Sequence, residues 1–264
     1  TAATIVAGSL GISGLGVTVS HAAEAKDSLI AEFTFDDATG SGDMTGGNAK
    51  ATGTYTIVDS YAGGGKALHL NGSNQFLSLT KTDGSSLLTG LTELTISYEA
   101  KHERTATNWV AYAAPNTNAQ TFNAEKYIGA FQNGGNLKVE RYNNSGSRPL
   151  AAETAVSNDW THVDLVYTTD AVIVYVNGEE KARQSSSYAL TDILGSIFQV
   201  GKANWVNGEY CQASIDNFRV YSKALTAAEV VSEYQDYVIN GDVEALTIPT
   251  EVNRSLTLPT TGSS

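Results

Sequence analysis

The chain is poor in several residue types. Its 264 residues include one cysteine (Cys211), one methionine, four prolines and four histidines. A single cysteine excludes a disulfide framework and a cysteine-based zinc site. The histidines, His21, His69, His102 and His162, are scattered without metal-ligand spacing. Charge is sparse at 17% and lopsided: 16 Lys and Arg against 28 Asp and Glu, 16 − 28 = −12. Such a chain has no basic face for nucleic acid or an anionic membrane, whereas neutral sugars and cations are compatible partners. What it does have is 41% hydrophobic residues, enough for a real core.

The ends do not read as fold. Residues 1–25 are uncharged through position 19, rich in Ala, Gly, Val, Leu and Ile, and close on the A-x-A pattern Ala23-Glu24-Ala25 before Lys26. That is the pattern of a secretory signal peptide without its initiator Met and basic n-region; the competing reading is a membrane anchor. The expectation is an exported protein, secreted or at the cell surface, with no membrane insertion once the signal is removed. Residues 241–264 are Thr- and Pro-rich and contain Leu258-Pro259-Thr260-Thr261-Gly262, an LPxTG match. A sorting signal needs a hydrophobic span and a basic tail after it. The segment is instead expected to be a linker into a further, covalently linked β-domain.

Residues 26–240 carry the fold. Short β-branched and aromatic runs alternate with Gly, Asn, Asp and Ser clusters. The expected strands are 29–35, 67–70, 76–80, 94–101, 109–113, 126–131, 137–142, 160–168, 171–177, 180–185, 197–201 and 214–221. The period of two puts Leu94, Ile96, Tyr98 and Ala100 on one face, as it does Val163, Leu165 and Tyr167, with His162 and Asp164 on the other. Asn177-Gly178 marks a type I′ hairpin. Thr226-Ala227-Ala228-Glu229 is a capping box opening a helix through about Asp236. The fold class is all-β: an antiparallel two-sheet β-sandwich, a jelly roll, with one short C-terminal helix.

Four segments in order resemble the LamG-like, concanavalin A-like jelly-roll domains of bacterial exported proteins: LIAEFTFDD, GGGKALHLNGSNQFLSL, WTHVDLVYTTDAVIVYVNGE and IDNFRVYSKALTAAEV. They span about residues 29–236. The resemblance implies neighbouring first and last strands with a structural Ca²⁺ nearby. Its ligands would be Asp36, Asp37 and Asp216, with backbone carbonyls of residues 61–66, including Lys66. Calcium takes six to eight hard oxygens, so this set is adequate. The alternative is that Asp36 and Asp37 form an Asx-turn and Asp216 bonds a local amide.

Sugars offer flat C–H faces to aromatic rings and paired hydroxyls to planar polar groups. Trp109, Tyr112, Tyr127, Phe131, Tyr142, Trp205 and Tyr210 fall where they can line one sheet face or its rim, with Asn204, Asn207, Glu209 and Arg141 interleaved. The structural alternative is that most of these rings fill the core, as expected for Trp160. No E-x-D-x-E strand, G-x-S-x-G or H-E-x-x-H occurs, and Asp242-x-Glu244 lies beyond the domain. The expected function is therefore non-catalytic: a carbohydrate-binding accessory module of a secreted bacterial glycoside hydrolase, binding an oligo- or polysaccharide, monomeric and stabilised by calcium. A cell-surface adhesion module, a ligand-free spacer and a catalytic sandwich with an unorthodox acid pair are the alternatives.

Overall fold

The computed structural model describes residues 25–61, 65–103, 108–115, 126–144, 150–203 and 209–242. The signal-like stretch up to residue 24, the LPxTG segment, Asn204, Trp205 and Asn207 lie outside the described residues. Sixteen strands form two eight-stranded sheets in which every strand pairing is antiparallel.

Sheet A is built from β1 (Leu29–Phe33), β4 (Thr56–Asp59), β5 (Lys66–Asn71), β7 (Leu94–His102), β12 (Thr161–Tyr167), β13 (Ala171–Val176), β14 (Glu179–Ser185) and β16 (Gln212–Tyr221). Its order is β14-β13-β12-β7-β16-β5-β4, and β1 also pairs with β16. Sheet B runs β11 (Leu150–Ala155), β10 (Asn136–Tyr142), β9 (Tyr127–Asn133), β8 (Asn108–Pro115), β15 (Gln199–Val200), β6 (Phe76–Lys81), β3 (Ala49–Thr54), β2 (Ser41–Gly46).

The alternation read from the sequence builds the core between the sheets. Leu94, Ile96, Tyr98 and Ala100 from β7 meet Val163, Leu165 and Tyr167 from β12 and Leu77 and Leu79 from β6 in one buried cluster. The first and last strands are neighbours, with Phe33 opposite Phe218. Asn177 and Gly178 both have positive φ, 52° and 77°, as a type I′ turn requires. The sequence does not predict β2, β3, β4 and β11. Their runs SGDMTG, AKATGT, TIVD and LAAETA are too short or too rich in Gly, Ala and Thr to signal a strand locally, and they are held by pairing with stronger neighbours.

The helix α1 (Ala227–Asp242) runs beyond the expected Asp236. Its capping box forms: the Thr226 N–H donates to Glu229 Oε2 at 2.8 Å, and the Glu229 N–H donates to Thr226 Oγ1 at 3.3 Å. It lies on the outer face of sheet A, where Tyr234 packs against Gly178 and the ring of His162. A second buried cluster holds Ala25, Val166, Ile173, Tyr221 and Val230, so the folded body includes Ala25, one residue before the expected start. No helix among the described residues is long and apolar enough to cross a membrane.

Candidate functional site

Three polar regions follow from this architecture. The first is an acidic corner where β1 ends beside β16. Phe35 takes a left-handed backbone (φ 59°), and the Ala38 N–H donates to the Phe35 carbonyl at 3.0 Å, so Asp36 and Asp37 occupy a tight turn. Asp36 Oδ1 accepts from the Lys66 N–H at 2.9 Å. Gly65 is needed there, because a β-carbon would collide with the Asp36 carboxylate. On β16, a bulge after Asp216 puts Asn217 at φ 45°. Asp216 accepts from the Ser60 hydroxyl and, at 2.7 Å, from the Asn217 N–H. Burial pushes the Asp216 carboxyl up to about 7; these two hydrogen bonds oppose the rise, and the charges of Glu99 and Asp36 add to it.

The corner therefore joins Asp36, Asp216 and the segment around Ser60 and Lys66. The Lys66 ammonium is bound to Asp59 at 2.6 Å, which leaves only its main chain facing the corner. Asp37, in the same turn as Asp36, lines a neighbouring cavity. Among the described residues no three His, Cys, Asp or Glu side chains converge as a metal site would.

The second region is the outer face of sheet A, roofed by α1. His162 lies between Glu99 (Nδ1 to Oε1, 3.0 Å) and Asp164 (Nε2 to Oδ2, 2.9 Å), with all three side chains almost wholly buried. The rings of Tyr234 and Tyr237 cover the imidazole at 6.0 and 5.7 Å. Burial alone would push the imidazole pKa down; the two carboxylates outweigh it and raise it to about 10. Arg219 nearby bonds Glu32 at 2.9 Å and reaches Glu233 at 3.4 Å. Glu99, His162 and Asp164 are closed off from solvent, whereas Glu32 is partly exposed.

The third region is the outer face of sheet B. Cross-strand register defines one continuous row from β11 to β3: Ala151, Glu140, Gly129, Ala113, Gln199, Ser78, Thr52. At one end of this face Tyr127, Phe131 and Tyr142 form an aromatic cluster with Ala203. Tyr127 donates to Glu140 at 2.6 Å, and Glu140 also pairs with Lys138 at 3.1 Å. The Phe131 ring fills the space that a β-carbon at Gly129 would need. These rings are buried. Phe76 and Tyr210 are half-exposed, their centroids 6.3 Å apart, with the Lys202 ammonium 4.7 Å and 5.7 Å from their centres. On this same face, Ser78, Thr80, Ser196 and Gln199 line a cavity of about 230 Å³.

The sequence-predicted sugar residues thus separate. Tyr210 is half-exposed beside Phe76, and the Glu209 carbonyl accepts from the Ala203 N–H at 3.0 Å. Tyr127 is buried on the same face, and Trp109 belongs to strand β8. Arg141 shares its strand parity with Leu137 and Val139 and points inward. It has no exposed surface and donates to the carbonyls of Thr168 (2.7 Å), Ala171 and Tyr188, so it ties β10 to the far sheet. The sequence reading missed Phe76, Ser78, Gln199 and Lys202. The signal was present in FLSLT: once Leu77 and Leu79 are assigned to the core, Phe76, Ser78 and Thr80 must face out.

The concanavalin A-like lectin/glucanases superfamily model matches residues 71–231. No curated protein sequence matches the chain. Among solved structures, domain 4 of AbnA, a GH43 extracellular arabinanase from Geobacillus stearothermophilus, in complex with arabinotriose, is similar at TM-score 0.52 and 20% identity, over 77% of this chain and 96% of that one. The binding domain of Paraclostridial Mosquitocidal Protein 1 is similar at TM-score 0.59 and 18% identity, over 81% of this chain and 53% of that one. The botulinum neurotoxin serotype G binding domain is similar at 0.58 and 13%, over 79% and 51%. The chain thus spans nearly all of the arabinanase domain and about half of each toxin binding domain.

Proposed function

The chain belongs to the concanavalin A-like lectin/glucanase superfamily, and from that premise we propose that it is a non-catalytic carbohydrate-binding module of an exported bacterial glycoside hydrolase. The observation that carries this reading is the outer face of sheet B. A half-exposed aromatic pair, Phe76 and Tyr210, shares this face with a cavity lined by hydroxyl and amide groups of Ser78, Thr80, Ser196 and Gln199, Phe76, Ser78 and Thr80 being on one side of β6. Rings take the C–H face of a sugar, and uncharged donors and acceptors take its hydroxyls. The arabinanase domain seen with arabinotriose supports the same reading. Binding raises the local concentration of a linked catalytic domain on its polymer. The apolar, uncharged residues 1–19 and the A-x-A pattern before Lys26 support export to the medium or the cell surface.

Calcium belongs to this reading as a structural ion. Asp36 and Asp216 would hold it, completed by the Ser60 hydroxyl, carbonyls among residues 60, 61, 65 and 66, and water. These are all hard oxygens. The fit rests on Asp216, a buried carboxyl whose ionisation is opposed by burial and by its acidic neighbours and would be favoured by a cation. Chelation should lower the melting temperature of the wild-type protein, and Asp216→Ala should remove that sensitivity. An identical melting curve with and without EDTA would exclude the ion.

A glycan array probed with the wild type, Phe76→Ala and Tyr210→Ala tests the main reading. Binding to arabinose- or galactose-containing polymers, weakened about tenfold in either variant, is expected. The absence of binding to any glycan would refute it.

A further inference from the structure

The turn that directs Asp36 towards Lys66 leaves Asp37 on a separate cavity of about 310 Å³, between the end of β1 and the β2–β3 hairpin. We infer that this cavity is a second sugar subsite, which takes one neutral terminal or branch residue of the glycan. The inference rests on the carbohydrate-binding reading and adds to it where and how a chain end is held.

The argument is convergence. Asp37, Thr34, Thr45 and Tyr55 all line the cavity, and none has a side-chain hydrogen-bond or ion-pair partner among the described residues. Asp37, Thr34 and Thr45 are exposed, while the Tyr55 ring is buried, only 3% of the residue being accessible. Glu32, the other acid on the wall, is already bonded to Arg219 at 2.9 Å, which leaves one free carboxylate. One carboxylate accepts from two adjacent hydroxyls, and hydroxyl side chains both donate and accept. Together they match a polyol, whereas an anion would meet the Asp37 charge.

Met44 and Tyr55 supply the apolar wall for a C–H face. The volume is at the small end of ligand cavities, about 300–1,000 Å³, which suits a single residue rather than a run of chain. Threonine's stiff χ1 keeps its hydroxyls in place without a ligand. The Phe76 and Ser78 surface is built on β6 and β15, whereas this cavity is built on the end of β1 and the β2–β3 hairpin, so the two sites read different parts of one glycan.

The test is an amide-resolved NMR titration of the 264-residue chain with methyl arabinofuranoside, methyl galactopyranoside and arabinotriose, and with glucosamine and calcium as controls. A neutral monosaccharide should shift the amides of residues 34–39, 44, 45 and 55. Asp37→Asn and Thr45→Val should each weaken that response about tenfold without moving the melting temperature. Tyr210→Ala should leave the monosaccharide response intact while weakening arabinotriose. If arabinotriose shifts only residues of β6 and β15, residues 196–202 and Tyr210, and none of residues 34–39, 44, 45 and 55, this subsite is refuted and the module reading stands. If no sugar shifts any residue, both fall. A response to glucosamine or calcium alone, or a monosaccharide response unchanged in Asp37→Asn, would also overturn the subsite.

Discussion

The two outer faces of the sandwich follow the same sequence rule and end in opposite conditions. On sheet A, Glu99, His162, Asp164 and Arg219 point away from the core, yet α1 covers them with Tyr234 and Tyr237 and their charges are matched among themselves. On sheet B, Ser78, Gln199, Phe76 and Tyr210 also point away from the core; a cavity remains open over Ser78 and Gln199, and the two rings are half-exposed. Charged groups under a helix have to be paired, because unpaired buried charge is costly. On sheet B these outward groups are uncharged: hydroxyls, half-exposed rings and the Gln199 amide, whose oxygen has no hydrogen-bond partner among the described residues. Polarity on a sheet face therefore marks a binding surface only where no other element lies over it.

The comparison breaks most easily at His162. His162→Leu strands two buried carboxylates and should cost about 3–5 kcal/mol, read by urea denaturation. Equal stability would mean that the cluster is solvated and that the faces do not differ. Next is Arg141→Met, which leaves inward-facing carbonyls without their donor. A loss of about 2–3 kcal/mol is expected, with glycan affinity unchanged; lost affinity at full stability would return Arg141 to the binding site.

A pH series sharpens the same contrast. The folded state holds His162 protonated to about pH 10, above the ordinary histidine value. A base raised on folding contributes fully below about pH 6.5, and that contribution fades as pH rises through 10. The midpoint of denaturation should thus fall between pH 7 and 10 in the wild type and fall less in His162→Leu. His102 runs the other way: burial holds it down near 4, so its contribution fades as pH drops from about 6.5 towards 4. Thr226→Ala removes the cap of the roofing helix and should cost about 1 kcal/mol by thermal melting. The smallest stability effect belongs to Tyr210→Ala on the open face: under about 0.5 kcal/mol, against an affinity loss of about tenfold. A large stability loss there would show that Tyr210 is packing, like Arg141.

Much of the fold was legible beforehand for local reasons. Leu94-Thr95-Ile96-Ser97-Tyr98 states its buried face by period two, Asn177-Gly178 states its turn by the φ each residue tolerates, and Thr226 with Glu229 states a helix start by reciprocal bonding. The site was less legible. Tyr127, Arg141 and Tyr210 look alike in sequence as polar or aromatic residues near turns. Strand parity turns Arg141 inward, an aromatic cluster encloses Tyr127, and Tyr210 stays half-exposed against Phe76.

What the sequence determined alone is therefore the sandwich, its closing hairpin turn and helix start, and its net acidity, since periodicity, turn chemistry and composition can be read along the chain. Which outward residues are roofed, that Asp36 and Asp37 serve different surroundings, and that Gln199 stands in register with Ser78 were decided only when distant strands came together, because burial and proximity depend on every element at once.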